Sequence, residues 1–353
     1  MLFLFILFLG SAFMLSGCSS ENSENSQFMH LFCQQKSPTE IWQKRMTKYN
    51  NVYVFNDSLL ILENTEKEAS LHNFFINVRT LNNNKEVGNF FKYGADEDYL
   101  LGASSIIHND TLIVYDYIKR YIYMMNLNRN SFDNNIYISK KKTNILTQYF
   151  LPYKNSIIIQ NPYCFMNGPR CFRNDGKRFI VSDYNYNYNE RIKYRYDTFN
   201  VVRGQFVLNW SKKRIFYADA YTAAYELYTA DMKLLSKFSL PLDIPSAEYI
   251  RYKYNSKTTG IIFKGEIPEA FTALCATDDY IYTLFSGESI KDDQDRTNFH
   301  SYLIIFDWDG NPISVYNINA HGISISVPEN NDCIYIYGQT SKHEYNLFKF
   351  VLK

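Results

Sequence analysis

The sequence predicts an all-β chain closed into one six-bladed propeller. Three observations carry that expectation. A polar turn followed by a short apolar run, rich in β-branched and aromatic residues, recurs at Ser58, Asp110, Asn155, Lys213, Asp279 and Asp332. The mean step is about 55 residues, close to the roughly 40–50 of a four-stranded blade once insertions are allowed for. Each run is followed by a second candidate strand, and composition favours strands throughout: 31 Tyr and 27 Phe against only 14 Gly suit a pleated, half-buried surface. A parallel α/β sheet would need helical patterns between strands, and these are absent. A two-sheet sandwich is the runner-up, but residues 38–353 are long for one sandwich.

The amino terminus stands apart from this pattern. Leu2–Leu15 is almost wholly apolar, and no charged side chain precedes Glu21. The stretch is shorter than the ~18–20 residues that span a bilayer and has the length of a signal-peptide apolar region, although no Lys or Arg precedes it. Leu15-Ser16-Gly17-Cys18 resembles the bacterial lipobox. The resemblance implies cleavage before Cys18 and diacylation of its thiol. A plain secretory signal with an incidental Cys18 is the alternative. Ser19 stands where an Asp would retain a lipoprotein in the inner membrane, so the resemblance implies the outer membrane. The polar run after Cys18 can bury nothing. The chain therefore divides into a signal peptide (1–17), a lipidated flexible tether (18–37) and the propeller (38–353).

Within the propeller, residues 38–49 carry the one helical spacing, with Ile41, Trp42, Arg45, Met46 and Tyr49 on one side. The six apolar runs then read as strands at Leu59–Leu62, Thr111–Asp116, Ser156–Gln160, Arg214–Asp219, Tyr280–Phe285 and Cys333–Gly338. Their followers read as strands at 74–81, 121–127, 178–184, 224–230, 302–308 and 345–352. Third strands are expected at 234–240 and 312–318, and insertions near 184–200 and 241–268. The last unit offers three strands, so a fourth is expected from the N-terminal side near Asn51–Phe55, zipping the ring shut.

The charge balance, 37 Lys+Arg against 36 Asp+Glu, offers no electrostatic footprint for nucleic acid. Apart from Cys18, five cysteines remain. Cys164 and Cys171 bracket a turn-forming Asn167-Gly168-Pro169; they are either a local disulfide or two reduced thiols. Cys275 and Cys333 sit in apolar runs and read as small core residues. No zinc spacing, no nucleophile elbow, no phosphate loop and no paired-histidine motif occurs, so no cofactor and no metal set is assigned. Asp307-Trp308-Asp309-Gly310 resembles the opening of a calcium loop but lacks the distal ligands and reads as a hairpin turn. The carboxylates at 291–295 read as a solvated loop. His321 precedes the pattern of an innermost strand, Gly322–Val327, and reads as a surface or strand-end histidine; a base looking into the channel is the alternative.

The most unusual segment is Asp183–Asp197. In an extended chain Tyr184, Tyr186 and Tyr188 share one face and could stack on sugar rings or present contact area to a protein; an extended hairpin with cross-strand Tyr pairs is the alternative.

Together, the lipobox and the repeats resemble the exported six-bladed propeller lipoproteins of Bacteroidetes, often called TolB-like. Phe91–Asp98, Ala276–Gly287 and Ile305–Pro312 carry the likeness. The family's Gly-Pro-Glu turn is replaced by Ala95-Asp96-Glu97. The resemblance implies a fold and an address and brings no reaction with it. The expected function is a surface-tethered binding module for a protein or glycan, with the membrane as partner through the N-terminal lipid. A hydrolase or lyase sited in the channel, with or without calcium assistance, is the alternative.

Overall fold

Short β-branched and aromatic runs form antiparallel hairpins when polar turns reverse the chain between them, and four such strands make one blade. The computed structural model describes residues 28–32, 37–65, 69–70, 72–96, 99–108, 110–128, 138–142, 150–153, 156–160, 171–174, 179–180, 204–242, 244, 248–253, 259–290 and 299–351. Within them the chain begins its strands with β1 (Thr39–Met46). Blade one is β2 (Tyr49–Phe55), β3 (Leu59–Asn64), β4 (Phe74–Thr80) and β5 (Glu86–Lys92). Blade two is β6 (Ala103–His108), β7 (Thr111–Asp116), β8 (Tyr121–Asn126) and β9 (Ile138–Lys142). Blade three is β10 (Phe150–Tyr153), β11 (Ser156–Gln160), β12 (Cys171–Asn174) and β13 (Phe179–Ile180). Blade four is β14 (Gly204–Asn209), β15 (Arg214–Asp219), β16 (Ala224–Thr229) and β17 (Leu234–Ser239). A separate hairpin, β18 (Tyr249–Lys253) and β19 (Thr259–Phe263), falls in the expected insertion at 241–268. Blade five is β20 (Ile267–Ala276), β21 (Ile281–Ile290), β22 (Ser301–Phe306) and β23 (Pro312–Ile318). Blade six is β24 (His321–Ser326), β25 (Ile334–Gln339) and β26 (Tyr345–Val351), with β1 as its outer strand.

The ring thus closes with a strand from the amino-terminal side, but from a different segment than expected. Asn51–Phe55 belongs to β2, the innermost strand of blade one, and closure falls to β1. That segment also corrects the helix expected over 38–49. Thr39–Met46 pairs with β26 from Thr39↔Val351 to Met46↔Tyr345. Its partly buried positions are Trp42, Lys44 and Met46, a period of two, and Ile41 is exposed. Trp42 packs 6.1 Å from the Tyr335 ring. The Trp42/Met46 spacing satisfies either period; the open edge of β26 decides between them.

Blade three differs as well. The strand expected to follow β11 at 178–184 is displaced: β12, the four residues Cys171–Asn174, is the third strand, and Phe179–Ile180 is the fourth.

The core is distributed between blades. Separate clusters of buried side chains lie at each junction: Leu112 and Phe75 at blades one and two, Tyr115 and Phe150 at two and three, and Ile158 and Tyr228 at three and four. Phe216 and Phe306 meet at four and five, Leu303 and Phe348 at five and six, and Leu60 and Tyr335 at six and one. Second strands, packed on both faces, supply most of this; Leu112–Asp116 are all buried. Among residues of the expected tether, 28–32 form a helical turn with Phe28 buried in the blade-four and blade-five cluster.

Candidate functional site

An innermost strand has one edge without a ladder partner, so its N–H and C=O groups need other partners or water. Small polar side chains on the neighbouring blade supply them. Ser324 Oγ accepts from Val52 N at 3.1 Å and donates to Val52 O at 2.8 Å, and Ser326 Oγ accepts from Val54 N at 3.1 Å. Gln205 donates to Thr272 O at 2.9 Å and accepts from Leu274 N at 3.1 Å. Thr272 Oγ1 donates to Gly322 O at 2.8 Å, and Tyr53 OH donates to Ser105 O at 2.6 Å. The matched steps, Val52 with Ser324 and Val54 with Ser326, show that the innermost strands β2 and β24 run in the same direction. The channel between the six inner strands therefore has a front mouth where they begin and a rear mouth where they end.

The channel has a volume of about 1070 Å³, is open to solvent, and is lined by residues of all six inner strands. Its front mouth carries His321 and Glu269, whose Nδ1 and Oε2 lie 3.9 Å apart; the His side chain is buried and the Glu side chain is 22% exposed. Tyr49, Asn50, Gln339 and Tyr345 line the channel beside them. The strand before Tyr49 is fixed by Tyr337, whose hydroxyl accepts from Tyr49 N at 2.8 Å and donates to Thr47 O at 3.1 Å.

At the rear mouth Trp210 Nε1 donates to His108 Nε2, with ring centroids 5.4 Å apart. This contact joins blades four and two and narrows the rear. Burial holds the His108 pKa below the ordinary imidazole value, which keeps Nε2 available as the acceptor that Trp210 needs.

Between these ends lies Glu63, fully buried at the junction of blades one and two. Its Oε2 accepts from Ser105 N at 3.1 Å, from Ser105 Oγ and from Asn51 Nδ2 at 3.2 Å. Burial pushes its pKa above the usual carboxylate value, against the opposing pull of those donors. It is a structural tie between blades.

Among the described residues no group of three or more His, Cys, Asp or Glu side chains is placed to hold a metal ion. Asp307, in the sequence that resembles a calcium loop, accepts from Asp309 N at 2.9 Å and Asn311 N at 2.8 Å and caps a turn. Cys275 and Cys333 are free thiols, and burial pushes both pKa values up. Cys18, Cys164, Tyr184, Tyr186, Tyr188 and the carboxylates at 291–295 lie outside the described residues; Cys171 opens β12, its side chain undescribed. Sequence reasoning favoured a surface or strand end for His321, and the structure instead buries it at the start of β24, where it lines the channel. It missed Glu269, Gln205 and Ser105, because an inner strand's polar residues carry no periodic signal.

The sequence profile of the TolB-like 6-blade propeller-like family matches residues 46–330. The chain belongs to that family. The TolB-like propeller is similar in fold to a member of the DUF4221 family from Bacteroides vulgatus, at 9% identity with a TM-score of 0.56, over 90% of this chain and 98% of that one. A provisionally assigned exported protein from Bacteroides fragilis aligns at 11% identity with a TM-score of 0.49, over 90% and 94% of the two chains. Among curated proteins, none matches. The TolB-like family assignment explains the ring of four-stranded blades and leaves the chemistry of the channel to this chain's own residues.

Proposed function

We propose that this TolB-like propeller is a non-catalytic binding module, lipid-anchored at Cys18 to the outer membrane, that takes a glycan ligand at the front mouth of its channel. The carrying observation is the channel itself. It is an open-mouthed channel of about 1070 Å³, walled by six blades, with polar and aromatic side chains at its front and an indole–imidazole bridge at its rear. That volume suits an oligosaccharide end and is too small for a folded domain. Tyr49 and Tyr345, held by the Tyr337 ring (Tyr345 stacked on it at 6.0 Å, with Lys48 Nζ 5.9 Å from its centroid), give this mouth an aromatic lining for sugar rings, and Asn50, Gln339 and Glu269 offer groups for hydroxyls. A hydrolase or lyase in the channel would draw on the His321–Glu269 pair, the ionisable pair at this mouth. The anchor is supported by the Leu15–Cys18 motif.

The test is a glycan array probed with the soluble chain carrying Cys18→Ser, beside capture from detergent-solubilised outer membranes. Glycan binding that weakens when Tyr345→Ala is introduced supports this reading. Capture of a protein without any glycan signal would overturn the glycan assignment, and turnover of a bound glycan would overturn the non-catalytic one.

A further inference from the structure

We propose that residues 28–32 form a docking clip that holds the front mouth of the channel, on its blade-four and blade-five side, toward the membrane. The proposal rests on the lipid anchor at Cys18 and goes beyond it by assigning which part of the propeller faces the bilayer.

The clip is built from apolar packing. Phe28 is 3% exposed and belongs to the cluster between blades four and five, with Leu31 and Phe32 packed against the same cluster. Phe28 and Phe32 lie 5.9 Å apart, centroid to centroid, and Phe32 lies 4.6 Å from Tyr302 of β22. The site exists because of how the chain passes between these blades. From blade five to blade six the chain passes in only two residues, Asn319 and Ala320, between β23 and β24. Between β17 and β20 the chain instead makes an excursion through the β18–β19 hairpin. The cleft between the blades is then covered by Leu242 and Ile244 together with the amino-terminal turn.

The height of the clip follows from its neighbours. Ser301, next to Tyr302, accepts from Gly322 N at 2.9 Å, and Gly322 opens the inner strand of blade six beside His321. The clip therefore sits level with the front mouth. Chain length supplies the rest. Ten Cα-to-Cα steps separate Cys18 from Phe28, so a lipid on Cys18 lies at most roughly 35 Å from the clip. With the turn undocked, the first fixed point would be Thr39 on blade six, and the reach would grow to roughly 75 Å. Docking therefore halves the tether and moves its attachment from the outer edge of blade six to the cleft of blades four and five. A ligand entering the front mouth is then met from the membrane side.

Energy transfer tests the orientation. The full lipidated chain is placed on phosphatidylethanolamine–phosphatidylglycerol vesicles that carry an acceptor dye on lipid. A donor dye is coupled at position 264 or at position 212. Lys264 follows the hairpin, its amide donating to Glu248 O at 2.8 Å, and Lys212 lies in the turn after β14 near the rear mouth, its amide donating to Asn209 Oδ1 at 2.8 Å. Transfer from position 264 should exceed transfer from position 212 by at least twofold. The paired changes Phe28→Asp and Phe32→Asp should bring that ratio close to one while the circular dichroism of the propeller is retained. Equal transfer from both positions in the native lipidated chain, or a ratio that the paired changes leave untouched, would overturn the clip. A chain with no lipid on Cys18 overturns the anchor and the orientation together, and lipid analysis of the purified chain separates that result from the first.

Discussion

Removing residues 345–353 is expected to open the ring and abolish cooperative folding. The segment is β26, which pairs with β25 on one side and with β1 on the other. Its loss removes the partner of the closing strand as well as a strand of blade six. Leu347, Phe348 and Phe350 are 1%, 4% and 6% exposed. Burying each is worth about 1.5–3 kcal/mol, so together they contribute about 4.5–9 kcal/mol. A whole domain is stable by only about 5–15 kcal/mol, so the truncation removes most of the margin. A single change grades the effect: Phe348→Ala, in the cluster between blades five and six, should cost about 3–5 kcal/mol. At roughly 2 °C per kcal/mol for a chain of this size, that is a fall in Tm of about 6–10 °C. The assay is a circular dichroism melt of the soluble Cys18→Ser chain, with native, truncated and Phe348→Ala forms side by side. A truncated chain melting within a degree or two of the native one would refute both the closure and the packing of blade six.

Three other outcomes follow from the same contacts. Gly338→Ala should destabilise by about 1–3 kcal/mol, because an added Cβ would stand 2.5 Å from the carbonyl oxygen of His321; chemical denaturation reads the change. Ser324→Ala removes both hydrogen bonds to Val52 and should cost about 1–3 kcal/mol, with faster hydrogen exchange at the Val52 amide as its local signature. His108, with a pKa held below its ordinary 6.5 by burial, binds a proton less readily folded than unfolded. Stability should therefore fall as pH drops from 6.5 toward the folded value, and His108→Gln should flatten the change in Tm between pH 7.5 and pH 5.

Parts of the fold were legible for physical reasons that differ from strand to strand. Second strands such as Thr111–Asp116 and Arg214–Asp219 are buried on both faces, so they read as continuous apolar runs. The polar turn read at Ser58 has its backbone reason just before it: Asn56 and Asp57 both adopt a φ of 48° between β2 and β3, which suits Asn and Asp. Inner strands such as Ala103–His108 and Gly204–Asn209 were hidden, because Ser105 donates to the Glu63 carboxylate and Gln205 serves the backbone edge of β20, and both polar residues break the apolar alternation. Thr39–Met46 was misread because its apolar spacing fits two periods and its true partner, β26, lies some 300 residues away. Half of the site was hidden as well: Glu269 lies 52 residues before His321 on the inner strand of the preceding blade, and only the packing of blade five against blade six brings the two together.

The central claim, that a glycan enters at the front mouth, is tested most directly by titrating an array-selected oligosaccharide calorimetrically against paired variants at the two mouths. Glu269→Ala with His321→Ala alters the front, and Asp278→Ala with Glu329→Ala alters the rear lining of the same channel. The account expects affinity to fall at least tenfold for the front pair and to stay within twofold of native for the rear pair; native affinity in the front pair, or the larger loss in the rear pair, would contradict it.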